Sequence, residues 1–200
     1  PTGGGQPCDT GWLTPAGADP VAVNEVRREG PQVWHTAPGH GLGTGAEVQG
    51  RLDWQRRHAL MRTHTALHVL SAVIWRDYGS HVTGGNMEPL RARMDFELVT
   101  LHGDFVQAVS AAVAAEIAAD RPIEVQILPR AAAEAIPDLI RTKINLLPAD
   151  ITMVRTVHIV GLDLQADGGT HVARTGEIGA VRVVDYHSKG KANKRIVIEI

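Results

Sequence analysis

The segment RTHTALHVL at residues 62–70 decides how the rest of the chain is interpreted, because it places two histidines four positions apart. Residues at that spacing project from one face of an α-helix, so His64 and His68 can reach the same ion. This is the helical half of many zinc sites, although two histidines bonded to backbone or water on a partly buried helix explain the pattern equally well. Thr65 stands where metalloproteases of the His-Glu-x-x-His type have a glutamate base, so that mechanism lacks its base.

The two histidines lie inside a long predicted helix. Asp53 is a favourable N-cap, so the helix is expected to begin at Trp54 and to end near Tyr78, where Gly79 stops it. Apolar residues at helical spacing give this helix a face to bury: Leu60, Leu67, Leu70, Val73 and Ile74.

A second segment, DGGTH at residues 167–171, offers two more ligands. The glycine pair between Asp167 and His171 favours a turn that lets both flanking side chains converge. Three histidines and a carboxylate are an acceptable zinc set. In the alternative interpretation this is a plain turn between strands, with Asp167 as a turn residue and His171 on the surface.

The chain as a whole predicts an α+β fold that begins with a small all-β unit at residues 1–53. Residues 1–20 are rich in glycine and proline and are expected to form loop or a turned ribbon, not a helix or a central strand. A hairpin is expected from Val21–Val26 and Gln32–His35, and a strand near Ala46–Leu52.

Residues 54–200 mix helices and strands without a regular βαβ rhythm. This favours a mixed or antiparallel sheet with helices on one side. After the long helix we expect a turn at His81–Asn86, helices at 103–120 and Ala131–Ile136, and strands at Arg91–Val99, Ile123–Leu128, Ile151–Val160, Ile178–Tyr186 and Arg195–Ile200.

The composition is that of an ordinary globular protein, with 44% hydrophobic and 21% charged residues. No run of about 18 apolar residues is present, which excludes a membrane-spanning segment. A single cysteine, Cys8, excludes an internal disulfide framework and suits a reducing compartment, so we expect a cytoplasmic protein.

The net charge of −2 is not typical of a nucleic-acid-binding protein, which is usually basic. Two local clusters of cations are candidates for phosphate contacts, and a solvated surface explains each of them as well. They are Arg51, Arg56, Arg57 and Arg62 before the histidines, and Lys189, Lys191, Lys194 and Arg195 near the C-terminus.

Four motifs together resemble the free-standing alanyl-tRNA editing proteins. They are GGGQP at residues 3–7, RTHTALH at 62–68, GGTH at 168–171 and SKGKANKR at 188–195. That family is related to the editing domain of alanyl-tRNA synthetase and, more distantly, of threonyl-tRNA synthetase. The resemblance implies a small N-terminal β-barrel at residues 1–53 and an α/β editing domain at 54–200 that contains the metal-binding helix.

The resemblance also implies a Zn²⁺ ion held by His64, His68, His171 and the residue at position 167. The family usually has cysteine at that position, and here it is Asp167. Asp167 either ligates the metal directly, or steadies a histidine while water completes the coordination. Loss of metal affinity ranks last, because the other three ligands are in place.

The implied reaction is hydrolysis, without ATP, of the ester that joins serine or glycine to the acceptor end of tRNA for alanine. A synthetase pocket for alanine cannot strongly exclude either amino acid, since each difference contributes only about 1–3 kcal/mol. By the resemblance, Gln6 orients substrate or water and Thr83 accepts the serine hydroxyl. In the alternative interpretation Gln6 is a solvent-facing loop residue and Thr83 is a turn residue. Lys189, Lys191, Lys194 and Arg195 hold phosphates, and neither DNA nor a membrane is an expected partner.

Two other functions are consistent with the same residues. One is a tRNA-binding module in which the exchange at Asp167 has ended catalysis. The other is a zinc hydrolase of a different small ester that binds no RNA.

Overall fold

The computed structural model describes residues 1–39, 41–144, 147 and 150–200. It is an α+β protein whose described strands pair antiparallel, as the sequence predicts. The N-terminal part contains five strands: β1 (Gly11–Pro15), β2 (Val21–Val23), β3 (Glu25–Glu29), β4 (Gln32–Thr36) and β5 (Val48–Leu52). The rest contains α1 (Trp54–Tyr78), β6 (Val82–Glu88), β7 (Arg91–Phe96), α2 (Gly103–Ala118), β8 (Ile123–Pro129), α3 (Arg130–Glu134), β9 (Met153–Ile159), β10 (Asp163–Ala166), a 3-10 turn (Thr175–Ile178), β11 (Arg182–Gly190) and β12 (Asn193–Glu199).

The long helix α1 has the bounds that its end signals predict. The Asp53 carboxylate accepts the Arg56 backbone N–H at 3.1 Å, which satisfies one free donor of the first turn. Gly79 closes the helix in the left-handed conformation, with φ 62°. The middle of α1, from Thr63 to Ile74, is buried on all sides, and its apolar side chains form the main core with α2 and the sheet β11-β12-β7-β6.

The N-terminal unit departs from the prediction in two ways. Residues 1–20 were not expected to supply a central strand, but β1 lies between β2 and β5. Glycine at position 11 permits this, since a Cβ there would lie 2.3 Å from the Arg51 carbonyl oxygen, and Pro15 falls at the strand end, where a missing N–H is tolerated. Within this unit, the described strands form the three-stranded sheet β2-β1-β5 and the separate hairpin β3-β4. They do not close into a barrel.

The hairpin itself confirms the prediction, with β3 and β4 joined through Gly30 at φ 57°. The first predicted strand, however, divides at Asn24, because its first half pairs with β1 and its second half with β4. The predicted strand near Ala46–Leu52 is β5. The division of the chain into domains at residue 53 stays a prediction.

The predicted turn at His81–Asn86 is wrong, because these residues belong largely to strand β6, paired with β7. A register shift between Val82 and Gly84 accommodates the glycines that suggested a turn. Strand β10, antiparallel to β9, was not predicted. The strand expected from Ile178 starts later, at Arg182, after the 3-10 turn. The other predicted elements are confirmed, within a few residues at their ends: α2, α3, β7, β8, β9 and β12.

Strands β8, β9 and β10 form a second sheet, in the order β10-β9-β8. Because β10 ends at Ala166, the turn that follows it meets the buried middle of α1. Among the described residues, no helix combines the length and the apolar character needed to cross a membrane.

Candidate metal centre and active site

Four side chains that are far apart in sequence converge at one point. The possible ligand atoms of His64, His68, Asp167 and His171 all lie within 4.8 Å of one another. Asp167 Oδ1 is 3.6 Å from His64 Nε2 and 3.9 Å from His68 Nε2, while Asp167 Oδ2 is 3.0 Å from His171 Nε2. The structure thus brings together the four residues that the sequence proposes as ligands.

The DGGTH turn owes its shape to two local features. The Asp167 carboxylate accepts the Gly169 N–H at 2.6 Å, which closes the turn on itself. Gly169 then packs directly on the His64 ring: a Cβ at this position would lie 2.0 Å from His64 Cε1. The neighbouring Gly168 has no such contact. The glycine at position 169 is therefore required by close packing against a proposed ligand.

A threonine hydroxyl fixes the orientation of His171. Thr65 Oγ1 donates to the Met61 carbonyl at 2.8 Å and accepts the Val172 N–H at 3.2 Å. Its only proton is therefore in use, so in the 3.2 Å contact with His171 Nδ1 the histidine must donate. The lone pair of neutral His171 is consequently on Nε2, facing Asp167.

Gln6 lies against the other side of the cluster. It is buried, and its carboxamide nitrogen donates to Thr170 Oγ1 at 2.8 Å. Its oxygen accepts the Thr170 N–H at 3.2 Å and lies 3.0 Å from His64 Nδ1. The direct contact with substrate or water expected from the sequence stays a prediction, but both acceptor positions of this oxygen are already occupied.

The charges of the cluster suit a bound cation. Burial and the neighbouring imidazoles lower the pKa of His171 to about 4 and that of His64 well below its usual value, so both rings are neutral near pH 7. Burial alone would raise the pKa of Asp167. In the acid range where this carboxyl titrates, however, the facing imidazoles carry protons, and the contact with His171 and the fields of His64 and His68 hold the pKa of Asp167 below its usual range. At neutral pH a carboxylate thus lies among neutral imidazoles, with Arg155 Nη1 3.7 Å from Asp167 Oδ2 on one side, and a metal ion at the centre would be bonded by the carboxylate and the facing ring nitrogens.

The donor set also fits Zn²⁺ in kind and in spacing. Three imidazole nitrogens and one carboxylate oxygen form an acceptable tetrahedral set, and ligands bonded at about 2.0–2.1 Å lie roughly 3.3 Å apart. The measured separations from Asp167 to the histidines, 3.0–3.9 Å, are close to this value. His68 Nδ1 is buried without a hydrogen-bond partner among the described residues. Of the three histidines, only His64 and His171 therefore have, within the described part of the chain, a side chain that contacts the ring nitrogen facing away from the cluster.

A cavity of about 840 Å³ opens beside the cluster. His64, His68 and Asp167 form part of its wall, and much of the rest is apolar. Such a volume accommodates a small organic molecule next to the four side chains that could bind a metal ion. The polar side chains of the wall include Thr83, Asn86 and Gln165 and two cations, Lys143 and Arg155.

Thr83 is exposed on β6 and lies at the edge of this cavity, not in a turn. Its hydroxyl donates to Asn193 Oδ1 at 3.0 Å. The lone pairs of the Thr83 oxygen therefore remain available to accept a hydrogen bond from a ligand.

The C-terminal basic cluster does not form a uniform surface. Lys194 is only 5% exposed, and its ammonium donates to Ser188 Oγ, the Gly190 carbonyl and the Lys191 carbonyl at 2.6–3.2 Å. It thereby holds the turn between β11 and β12 together. Its predicted contact with phosphate is not supported by this burial.

Two other members of the basic cluster are paired with one buried carboxylate. Arg195 donates twice to Asp95, at 2.6 and 2.8 Å, and Lys189 donates once, at 3.0 Å. Lys191 is exposed. The structure thus leaves Lys191 as the cation of this motif best placed to meet a phosphate.

Sequence reasoning missed the polar groups that surround the ligands. Thr65 was considered only as the absent general base, and Thr170 and Asn193 were not considered. All three lie within the sequence motifs quoted above, so membership of those motifs was the signal that could have identified them. Their partners lie more than 100 positions away, so no local pattern identifies them.

Comparisons with known proteins identify relatives of this chain. Residues 154–197 match the second additional domain of threonyl and alanyl tRNA synthetases. The chain is 36% identical over 198 residues to the alanyl-tRNA editing protein AlaX-M of Saccharolobus solfataricus, which covers 98% of this chain and 83% of that protein. It is 35% identical over 202 residues to AlaX-M of Methanosarcina barkeri, with the same coverage. Over 190 residues it is 37% identical to alanine–tRNA ligase of Pyrobaculum aerophilum, covering 90% of this chain and 21% of that enzyme.

Proposed function

Because the chain belongs to the family of alanyl-tRNA editing proteins, with members of which it shares 36% and 35% identity over 83% of their length, we propose that it is a trans-editing deacylase. It hydrolyses the ester bond between a wrong amino acid, serine or glycine, and the terminal ribose of tRNA for alanine. The observation that carries this proposal is the convergence of four ligand atoms within 4.8 Å at the wall of an 840 Å³ cavity.

In this proposal His64, His68, His171 and Asp167 hold a Zn²⁺ ion. When bound, the ion supplies a Lewis acid that acts on water or on the substrate. The short separations from Asp167 to all three histidines support direct ligation by its carboxylate, in place of the usual cysteine. A carboxylate donates less electron density than a thiolate, so the metal is expected to be the stronger Lewis acid.

The residues around the proposed ligands keep the ligands aligned. Thr65 holds His171, and the Gly169 turn packs on His64. The apolar part of the cavity wall lowers the local dielectric constant at the bound end of the substrate, which strengthens polar contacts made there.

To spare alanyl-tRNA, the site needs a group that forms a hydrogen bond with the serine hydroxyl, which alanine lacks. Thr83 at the edge of the cavity is our candidate, since its oxygen can accept the serine hydroxyl while Asn193 takes its own proton. Alanine lacks that hydroxyl and gains nothing from this contact. Lys191 contributes attraction for the tRNA backbone without reading its sequence.

The test is deacylation of seryl-, glycyl- and alanyl-tRNA for alanine by the zinc-loaded protein, with and without a chelator. We expect loss of serine and glycine, sparing of alanine, and no cleavage after chelation. Failure of the metal-loaded protein to release any of the three amino acids contradicts the proposal. Binding of tRNA without cleavage would favour a non-catalytic module, and cleavage of small esters without salt-dependent RNA binding would favour a different zinc hydrolase.

The role of Asp167 is tested by measuring zinc in the Asp167→Ala and Asp167→Cys variants. If Asp167 ligates directly, removal of its carboxylate weakens zinc binding strongly, and cysteine restores it. Zinc affinity unchanged in Asp167→Ala would contradict direct ligation.

A further inference from the structure

We propose that Gln6 is a positioning residue that fixes the tautomer of His64, so that the N-terminal unit completes the metal centre without contributing a ligand. This inference rests on the proposed zinc site and assigns a residue outside its ligand set to that site. It gives Gln6 a role distinct from the expected contact with substrate or water, and it is carried by the hydrogen bonds around its carboxamide.

The glycine-rich loop places Gln6 by a tight turn. Gly4 and Gly5 both have positive φ values, 57° and 84°, which residues with a Cβ adopt only at a cost. Two backbone bonds close the turn, from Gly3 N–H to the Gln6 carbonyl at 3.1 Å and from Gln6 N–H to the Gly3 carbonyl at 2.9 Å. The Gly5 carbonyl accepts the Met87 N–H at 3.3 Å, which fastens the loop to β6.

The backbone of Thr170 determines which end of the Gln6 side chain is the oxygen. A backbone N–H can only donate, so the carboxamide atom 3.2 Å from the Thr170 nitrogen must be Oε1. The same oxygen lies 3.0 Å from His64 Nδ1. Since an amide oxygen can only accept, His64 must carry its proton on Nδ1.

The lone pair of neutral His64 is therefore on Nε2, the atom that faces Asp167 at 3.6 Å. With the other tautomer, the Nδ1 lone pair would face the Gln6 oxygen and the N–H would face the metal ligands. His64 and Gln6 are each 8% exposed, so water does not readily compensate for that mismatch. A partner that fixes the tautomer of a metal-binding histidine typically contributes a factor of about 10–100 to metal affinity.

The three ligand histidines are not held alike. Thr65 holds His171 and Gln6 holds His64, whereas His68 Nδ1 has no hydrogen-bond partner among the described residues. Loss of Gln6 would therefore leave only His171 with a side chain that fixes its tautomer. This makes the N-terminal loop a determinant of zinc affinity even though the ligands all come from residues 64–171.

The experiment compares Gln6→Met with Gln6→Glu in the full chain. Methionine has a similar length and no acceptor oxygen, while glutamate keeps an oxygen that can accept from His64 Nδ1 and from the Thr170 N–H. Zinc affinity is measured by competition with a chromogenic chelator, and the protonated ring nitrogen of His64 is identified by nitrogen-15 NMR of the histidine side chains. Gln32→Met, on an exposed strand of the same unit, is the matched control.

We expect zinc affinity about 10- to 100-fold lower in Gln6→Met, affinity restored in Gln6→Glu and unchanged in Gln32→Met, and loss of the Nδ1–H signal of His64 only in Gln6→Met. Equal zinc affinity in folded Gln6→Met and the unmodified chain, or no rescue by glutamate, overturns this inference while leaving the proposed function standing. Absence of zinc binding in the unmodified chain overturns both.

Discussion

Thr65 Oγ1 on α1 lies 3.2 Å from His171 Nδ1 in the turn after β10, and this contact joins the two halves of the proposed metal site. The Thr65 side chain is fully buried and also bonds to the Met61 carbonyl and the Val172 N–H. Thr65 stands where metalloproteases have a catalytic glutamate, and here its hydroxyl holds the proposed ligand His171.

Replacement of Thr65 by valine is expected to weaken the metal site at nearly constant volume. The change leaves the His171 Nδ1–H and the Val172 N–H unpaired, which costs about 1–3 kcal/mol for each buried group. Zinc affinity should fall roughly 10- to 100-fold. Thr65→Ser keeps the hydroxyl and is the control, and the two variants are compared by chelator competition and thermal unfolding. Equal zinc affinity in the two would mean that the hydroxyl does not position His171.

Gly169→Ala is expected to displace His64, because the added Cβ would lie 2.0 Å from the Cε1 atom of that ring. Overpacking of this kind costs about 1–3 kcal/mol, and zinc affinity should fall by about 10-fold or more. Gly168→Ala is the matched control, since a Cβ at that position meets nothing within 4 Å. Zinc content after dialysis separates the two, and full zinc content in Gly169→Ala would refute the packing argument.

Thr83→Val is expected to slow release of serine while leaving release of glycine unchanged. A neutral hydrogen bond contributes about 0.5–1.5 kcal/mol, so the loss should be roughly 3- to 10-fold in kcat/KM for seryl-tRNA. Thr83→Ser retains the acceptor oxygen and should behave like the unmodified chain. An equal loss for both substrates would show that Thr83 does not read the serine hydroxyl.

Lys191 and Lys194 are expected to differ although they stand three positions apart. Lys191→Ala should lower the slope of log affinity against log salt for tRNA by roughly 0.7–0.9, as for one lost phosphate contact, without changing stability. Lys194→Met should instead destabilise the β11–β12 turn by about 1–3 kcal/mol, since three acceptors lose their donor. The measurements are salt-dependent binding and urea unfolding, and the reverse pattern would contradict the structural assignment.

Asp95 is expected to make stability fall in acid. The hydrogen bonds from Arg195, with that from Lys189, lower the pKa of this carboxyl to about 2, against an ordinary value near 3.8. Because the folded-state pKa is the lower one, the ion pair stabilises the fold above about pH 4, and this contribution is lost as the pH falls towards 2. The amount is on the order of 2 kcal/mol.

The check is urea unfolding from pH 7 to pH 2 of the unmodified chain and of Asp95→Asn. The stability difference between them should shrink across the acid range, whereas the exposed Asp19→Asn control should show no comparable change. A pH-independent difference for Asp95→Asn would contradict the proposed ion pair.

The sequence by itself determined the features that depend on neighbouring residues. The Asp53 cap, the Gly79 stop and the four-residue histidine spacing are set within a few positions, so the bounds and ligand face of α1 were predictable. The four proposed ligands were likewise identified from two short motifs. Local composition misled where glycines entered strands, as in β1 and β6, because ladder partners decide whether such a segment is extended.

Only the tertiary structure decided what holds those ligands and which cations are free. Gln6 and Thr170 form a hydrogen bond although they are 164 positions apart in the sequence. Lys194 lies in a basic motif that suggests a solvated cation, yet its side chain is buried against the turn between β11 and β12. The physical reason is that a hydrogen bond depends on which donor and acceptor the packed chain brings together. Residue spacing assigns a side chain to a face, but only the folded chain assigns it a partner.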